Sequence, residues 1–295
     1  MYDQKKAYAF GLATVLLWST VATAFKLSLR AMEPGQLLFY STAISTLTLG
    51  GILMMQGRLG AALRCSRAEW CRSLALGVLN PFLYYLILFR AYDLLPAQEA
   101  QPLNYTWAIT LTLLSIPLLG QRISRQDWAA VLVSYSGVVV ISTHGDPLSM
   151  RFSDPWGVAL ALLSTVVWAL YWIFNTRETR EPVAALFTGF LAAMPLVTLW
   201  CLLTDGFGVQ TPAGFWGAAY VGVFEMGVTF VFWLKALKYS ENTAKVGNLI
   251  FLSPFLSLIF IHFLLGERIL PSTFAGLGLI VAGLILQRPG RSTPT

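Results

Sequence analysis

Glu225 is a carboxylate in the middle of an apolar run, Val221-Gly222-Val223-Phe224-Glu225-Met226-Gly227-Val228. An ionisable group deep in hydrocarbon costs roughly 2.5–3.5 kcal/mol on insertion scales, so it needs a partner or a task. Other apolar runs hold polar aromatics and amides: Trp18, Asn80, Tyr84, Tyr105, Trp107, Trp168 and Asn248. Asn80 and Tyr84 are four apart and share a helix face, and Asn104 and Trp107, three apart, share another. Indole, phenol and amide groups away from water need hydrogen-bond partners or a wet cavity. As a set, these eight side chains would suit a planar solute carrying an amine and a carboxylate. Taken singly, each has the alternative of bonding one packed helix to another.

Other chemistry is poorly supplied. The chain has two histidines and three cysteines, and Cys65 and Cys71 lack the second Cys or His pair of a zinc site. No metal or cofactor is expected. There is no phosphate-binding glycine loop and no glycine-rich serine motif beside His262 that would make a nucleophile. An enzyme is therefore not expected. The net charge of +6 is spread between apolar runs rather than gathered on one element. That pattern argues against nucleic acid and for a lipid bilayer.

The elements that must carry these residues are long apolar helices. Of 295 residues, 56% are hydrophobic and 12% charged, about half the charged share of a soluble domain. Mean hydropathy is +0.66. A helix crosses hydrocarbon of ~30 Å with ~20 residues. Ten runs meet that length: 7–28, 34–56, 71–92, 97–119, 126–143, 156–176, 183–204, 213–235, 243–265 and 271–287. The stretch 57–70, with Arg58, Arg64, Arg67 and Trp70, reads as a short interfacial helix. The first span is too long for a signal-peptide core and lacks a small-residue cleavage site, so it is read as retained. Lys26, Arg90, Glu99 and Lys245 lie near span ends and are expected to snorkel to the interface. His262 is expected to be structural. Pro81, Pro102, Pro117, Pro195 and Pro254 are expected to bend their helices. Gly278 with Ala282, and Val133 with Gly137, read as packing faces of two peripheral spans.

The chain also repeats itself. Leu118-Leu119-Gly120-Gln121-Arg122-Ile123 returns 146 residues later as Leu264-Leu265-Gly266-Glu267-Arg268-Ile269. The same offset carries Gly11 onto Gly157, and 145 carries Gly77-Val78 onto Gly222-Val223 and Ala91 onto Ala236. Five spans per copy would make the second copy enter the bilayer from the opposite side, the inverted repeat of secondary transporters. The expected halves are residues 1–146 and 147–295. With both termini cytoplasmic, fourteen basic residues between spans lie inside and three (Arg30, Arg151 and Arg268) lie outside, as the positive-inside rule requires.

Ten spans in two inverted halves, Leu17-Trp18-Ser19-Thr20 in span 1 and Leu265-Gly266-Glu267-Arg268 closing span 9 resemble the EamA-type members of the drug/metabolite transporter superfamily. Glu99 followed by Asn104-Tyr105-x-Trp107 looks more narrowly like that superfamily's exporters of aromatic amino acids. The resemblance covers the whole chain. It implies an all-α membrane protein of ten transmembrane helices around a central cavity, exporting neutral amino acids from a bacterial cytoplasm across the inner membrane. Trp18, Tyr105 and Trp107 match its motifs as cavity-lining residues. One departure stands out: Pro254 of span 9 has no counterpart in Tyr105-Thr106-Trp107 of span 4. A drug or metabolite exporter of the same superfamily and a non-transporting receptor or scaffold are the alternatives. Two fused halves can close a site without a second chain, so a monomer suffices.

Overall fold

A computed structural model of the chain describes residues 3–120, 124–149, 152–209, 211–240 and 248–286. Among the described residues the secondary structure is helical throughout. Seven helices are long and apolar enough to cross a membrane: α1 (Gln4–Leu29), α2 (Pro34–Met55), α3 (Arg67–Leu94), α4 (Ala97–Leu119), α6 (Pro155–Asn175), α7 (Pro182–Thr204) and α8 (Pro212–Tyr239). Three others fall short of that test. α5 (Arg125–Ser142) opens on Arg125, Gln126 and Asp127. α9 (Ser253–Leu265) and α10 (Pro271–Leu286) are shorter than a span. A 3-10 turn, Asn248–Leu252, precedes α9, and Leu59–Leu63 forms the short helix expected between α2 and α3.

The helix ends follow from local chemistry. Ser66 and Glu69 form a reciprocal capping box at the start of α3, and Ser124 and Asp127 do so for α5. The Asp154 carboxylate accepts the Gly157 N–H at 2.7 Å and caps α6. Gly120 (φ 66°) and Gly266 (φ 72°) end α4 and α9 in the left-handed conformation that glycine adopts without a Cβ penalty. Hydroxyls along the spans donate to their own helix, as from Thr46 Oγ1 to the Thr42 carbonyl at 2.7 Å and Thr198 Oγ1 to Met194 at 2.7 Å. Backbone and side chain are thereby satisfied without water.

Packing follows a regular scheme. α1 lies against α8 and α9, α3 against α6 and α7, α2 against α7 and the middle of α8, α4 against α6, and α5 against α10. The α5–α10 seam is backbone-close. A Cβ on Gly137 would sit 2.4 Å from the Gly276 carbonyl oxygen, and one on Gly276 would sit 2.6 Å from that of Gly137. Gly283 is as tightly held, with Ser134 Oγ 2.0 Å from a Cβ built there. Gly278 has open space around it. The packing face of α10 is therefore Gly276 and Gly283, and the Gly278–Ala282 face expected from four-residue spacing is turned away from α5 and exposed.

Two further expectations are corrected. Glu99 does not snorkel. It is 2% exposed, and its Oε1 accepts from Ser153 Oγ at 2.8 Å and lies 2.9 Å from His144 Nε2. Lys26 turns inward, its ammonium donating to the Tyr92 carbonyl at 2.6 Å and the Leu95 carbonyl at 2.9 Å, where α3 ends. Arg90 pairs with Asp93 at an exposed site. Lys245 lies outside the described residues. Of the prolines, Pro81 sits at the break of α3 and Pro254 opens α9, while Pro102 and Pro117 lie in the two helical runs of α4 on either side of Thr106 and Pro195 lies inside α7.

The segment 176–181 is tied down by one ion pair. Arg180 donates to Glu178 at 2.6 and 2.9 Å, to Ser73 Oγ of α3 at 2.9 Å and to Thr188 Oγ1 of α7 at 3.2 Å. The guanidinium bonds hold the Glu178 carboxyl down at about 2, against an ordinary value of 4.5.

Two outcomes are expected. Gly276→Val overpacks the α5–α10 seam and costs about 1–3 kcal/mol, seen as a lower Tm in detergent, while Gly278→Ala leaves Tm unchanged. A carboxyl depressed on folding contributes stability above its unfolded pKa and loses it as pH falls through the folded one. Proteolytic cleavage at 176–181 should therefore rise between pH 4.5 and 2, and Glu178→Gln should flatten that rise.

Candidate functional site

Four spans are irregular in their middles, and candidate side chains stand at or beside the irregularities. α1 changes direction at Thr20, whose hydroxyl lies 2.7 Å from the Tyr220 hydroxyl and donates to the Leu17 carbonyl at 2.7 Å. Trp18 stands two residues before it. α4 has the same feature at Thr106, whose hydroxyl donates to the Leu103 carbonyl at 2.7 Å. Tyr105 and Trp107 flank it. α3 contains the wide turn Val78–Leu83, broken at Asn80 (φ −143°, ψ 115°), and Tyr84 is the first residue after it. α8 contains a second wide turn, Val221–Val228, and Glu225 lies inside it. Wide π-type turns of this kind re-aim side chains and concentrate at functional sites.

The result is one cavity of about 370 Å³ lined by Trp18, Tyr84, Asn104, Tyr105, Trp107, Trp168 and Glu225, among others. That volume is in the range that holds a small molecule. Tyr84 stacks on Trp168 with centroids 4.4 Å apart, and Trp172 meets Trp168 edge-on at 5.8 Å. Trp18 contacts Phe230 and Trp233, each at 5.8 Å. The Tyr84 hydroxyl donates to Asn104 Oδ1 at 3.2 Å, and Asn104 Nδ2 donates to Ser164 Oγ at 3.0 Å. These bonds fix two walls of the cavity against α6.

Glu225 is 9% exposed, and its Oε1 accepts from the Tyr85 hydroxyl at 3.2 Å. The Trp18 side chain also faces this carboxylate; Oε2 is buried without a hydrogen bond of good geometry, as are Gln101 Oε1 and Trp172 Nε1 on the same wall. Buried polar atoms are normally paired. Two acceptors and one donor left over in a cavity are groups a ligand could satisfy. Among the described residues the wall has no Lys, Arg or His; Glu225 is its single charged-type side chain.

Of the sequence candidates, six line this cavity with Glu225 among them, and Asn104 joins them, while Asn80 does not reach it. Asn80 is buried in the break of α3, with the Tyr171 side chain beside its amide. Its role is in the shape of α3 rather than in the wall. The side chain of Asn248 lies outside the described residues. His262 Nδ1 donates to the Glu267 carbonyl oxygen at 3.0 Å, away from the cavity. Sequence reasoning missed Gln101, Phe230 and Trp233. Helical spacing pointed to two of them: Gln101 precedes Asn104 and Tyr105 by three and four residues, and Trp233 follows Glu225 by eight.

With this geometry in view, the chain can be compared with known proteins. The profile of the EamA-like transporter family matches residues 5–143 and again residues 155–287. A relative from Ancylobacter novellus named aromatic amino acid exporter YddG is 27% identical over 261 residues, covering 87% of this chain and 88% of the relative. An uncharacterized transporter of Archaeoglobus fulgidus is 23% identical over 277 residues, covering 92% and 95%. A solved crystal structure aligns over 96% of both chains with a TM-score of 0.68 at 22% identity, which shows a shared fold. The chain belongs to the EamA-like transporter family. It is a multi-pass membrane protein of a transporter family and not an enzyme.

Trp168 is the hub of the ring cluster, so Trp168→Ala should cost about 3–5 kcal/mol and lower Tm well beyond the loss in Trp168→Phe. Thermal unfolding of the three proteins in one detergent checks this.

Proposed function

We propose that this family member is a secondary transporter that exports aromatic and other neutral amino acids across a bacterial inner membrane by alternating access. The observation that carries the reading is the aromatic cavity with a single buried carboxylate and unpaired polar atoms on its wall. Stacked rings suit an aromatic or apolar side chain. Glu225 Oε2 and Gln101 Oε1 suit a protonated amine, and the Trp172 indole N–H suits a carboxylate oxygen. The Ancylobacter relative, named for aromatic amino-acid export, supports the substrate class.

Ten spans, arranged as inverted repeats at residues 1–146 and 147–295, are part of this proposal. Two observations support it. The family profile matches twice, once per half. The packing scheme also maps onto itself when each helix is exchanged for the one five places along: α1–α8 becomes α6–α3, α4–α6 becomes α9–α1, and α5–α10 returns to itself. Rocking of one bundle against the other would then open the cavity to each side in turn. Both termini on the cytoplasmic side, in a protein acting as a single chain, complete the reading.

One observation favours a second substrate class. Among the described residues the wall offers two unpaired acceptors but one unpaired donor, and no cationic side chain to hold a carboxylate. Organic cations with an amine and an aromatic body fit that balance. Purified protein in liposomes should move labelled phenylalanine, tryptophan or leucine; failure with all twenty amino acids rejects the first reading. Glu225→Gln should abolish movement of a cationic amine and reduce that of a zwitterion only a few-fold.

A further inference from the structure

The motif that reveals the duplication also has a mechanical task. Gly266 ends α9, and the next residue, Glu267, caps a different helix. Its carboxylate accepts the Ala97 N–H at 2.9 Å and the Gln98 N–H at 3.2 Å, two free donors of the first turn of α4. Gln98 answers in kind. Its Nε2 donates to the Arg268 carbonyl at 3.0 Å, and its Oε1 accepts from the Leu270 N–H at 2.9 Å and Thr273 Oγ1 at 3.0 Å. Gln98 is buried, and its whole amide is spent on the segment joining α9 to α10. Five hydrogen bonds thus hold the start of α4 to the far half of the chain. One turn further along α4 lies Gln101, in the cavity wall.

We propose that Glu267 and Gln98 are the gate clasp of the transport cycle and hold the resting protein closed at their end. The inference rests on the alternating-access reading above but not on the identity of the solute. Opening at the Glu267 end requires release of both side chains from α4. By the charge count, the clasped end faces outward, so the exporter waits for cargo from the cytoplasm.

The test uses the full chain in vesicles, with Cys65, Cys71 and Cys201 replaced by Ser and Ala108→Cys placed in the cavity wall. A membrane-impermeant maleimide is applied to each face in turn. The reference protein should label chiefly from the face opposite the clasp. Glu267→Gln and Gln98→Ala should each raise the rate from the Glu267 end by about fivefold, the scale of a lost helix cap, and lower it from the other. Thr273→Val, which removes one bond of the Gln98 amide, should shift the ratio the same way by less, and it keeps the test open if the first variants fold poorly. An unchanged ratio in all variants, or an equal rise from both faces, overturns the proposal. Shifted ratios without flux of any amino acid would reject the substrate assignment and leave the clasp. Amino-acid flux with unmoved ratios would do the reverse.

Discussion

Backbone amides and carbonyls at membrane depth have no water to bond, and this constraint shapes every part of the molecule. It makes the described chain helical, and it sets terms for each departure from the helix. The breaks in α1 and α4 are each accompanied by a threonine hydroxyl that donates to a backbone carbonyl, at Thr20 and Thr106. The end of α3 is closed by the Lys26 ammonium on two carbonyls. The start of α4 is closed by the Glu267 carboxylate on two N–H groups. Charged side chains near the interfaces thus complete the backbone of other helices, and in doing so they join parts of the chain far apart in sequence.

The cavity depends on the same constraint. A regular helix presents a fixed stripe, and four regular spans would meet in a packed seam. The wide turns at Val78–Leu83 and Val221–Val228 widen two of them at the depth where Tyr84 and Glu225 must point inward. Polar atoms left unpaired there are tolerable only because the space beside them can hold a solute or water. The cavity is placed where the helical ladder is interrupted.

Much of this was legible from residue order, and the failures have physical reasons. The seven long spans announced themselves through apolar length, and Trp18, Tyr84, Tyr105, Trp107, Trp168 and Glu225 through polar chemistry at depth. Asn80 met the same criterion, yet it fills the break it helps to make, because depth says nothing about which way a non-helical residue points. Glu99 was read as an interfacial group since it lies one turn from a helix end. Its partners, His144 and Ser153, come from a loop that no periodicity describes. The packing face of α10 was displaced by a few residues because small side chains occur on both of its faces, and spacing cannot say which one meets a neighbour. Gln101 and Trp233 were recoverable by extending the helical stripes through residues already chosen.

The glycine seam between α5 and α10 deserves a mechanical reading. Each is the last helix of its half, they meet backbone to backbone, and they touch little else besides α4. Under the proposed rocking of one bundle against the other, the two would behave as a hinged book, with the seam as spine and the cavity toward the free edges. A slight turn at the spine becomes a large gap at those edges, so leverage, rather than deformation of the aromatic wall, would set how far each mouth swings.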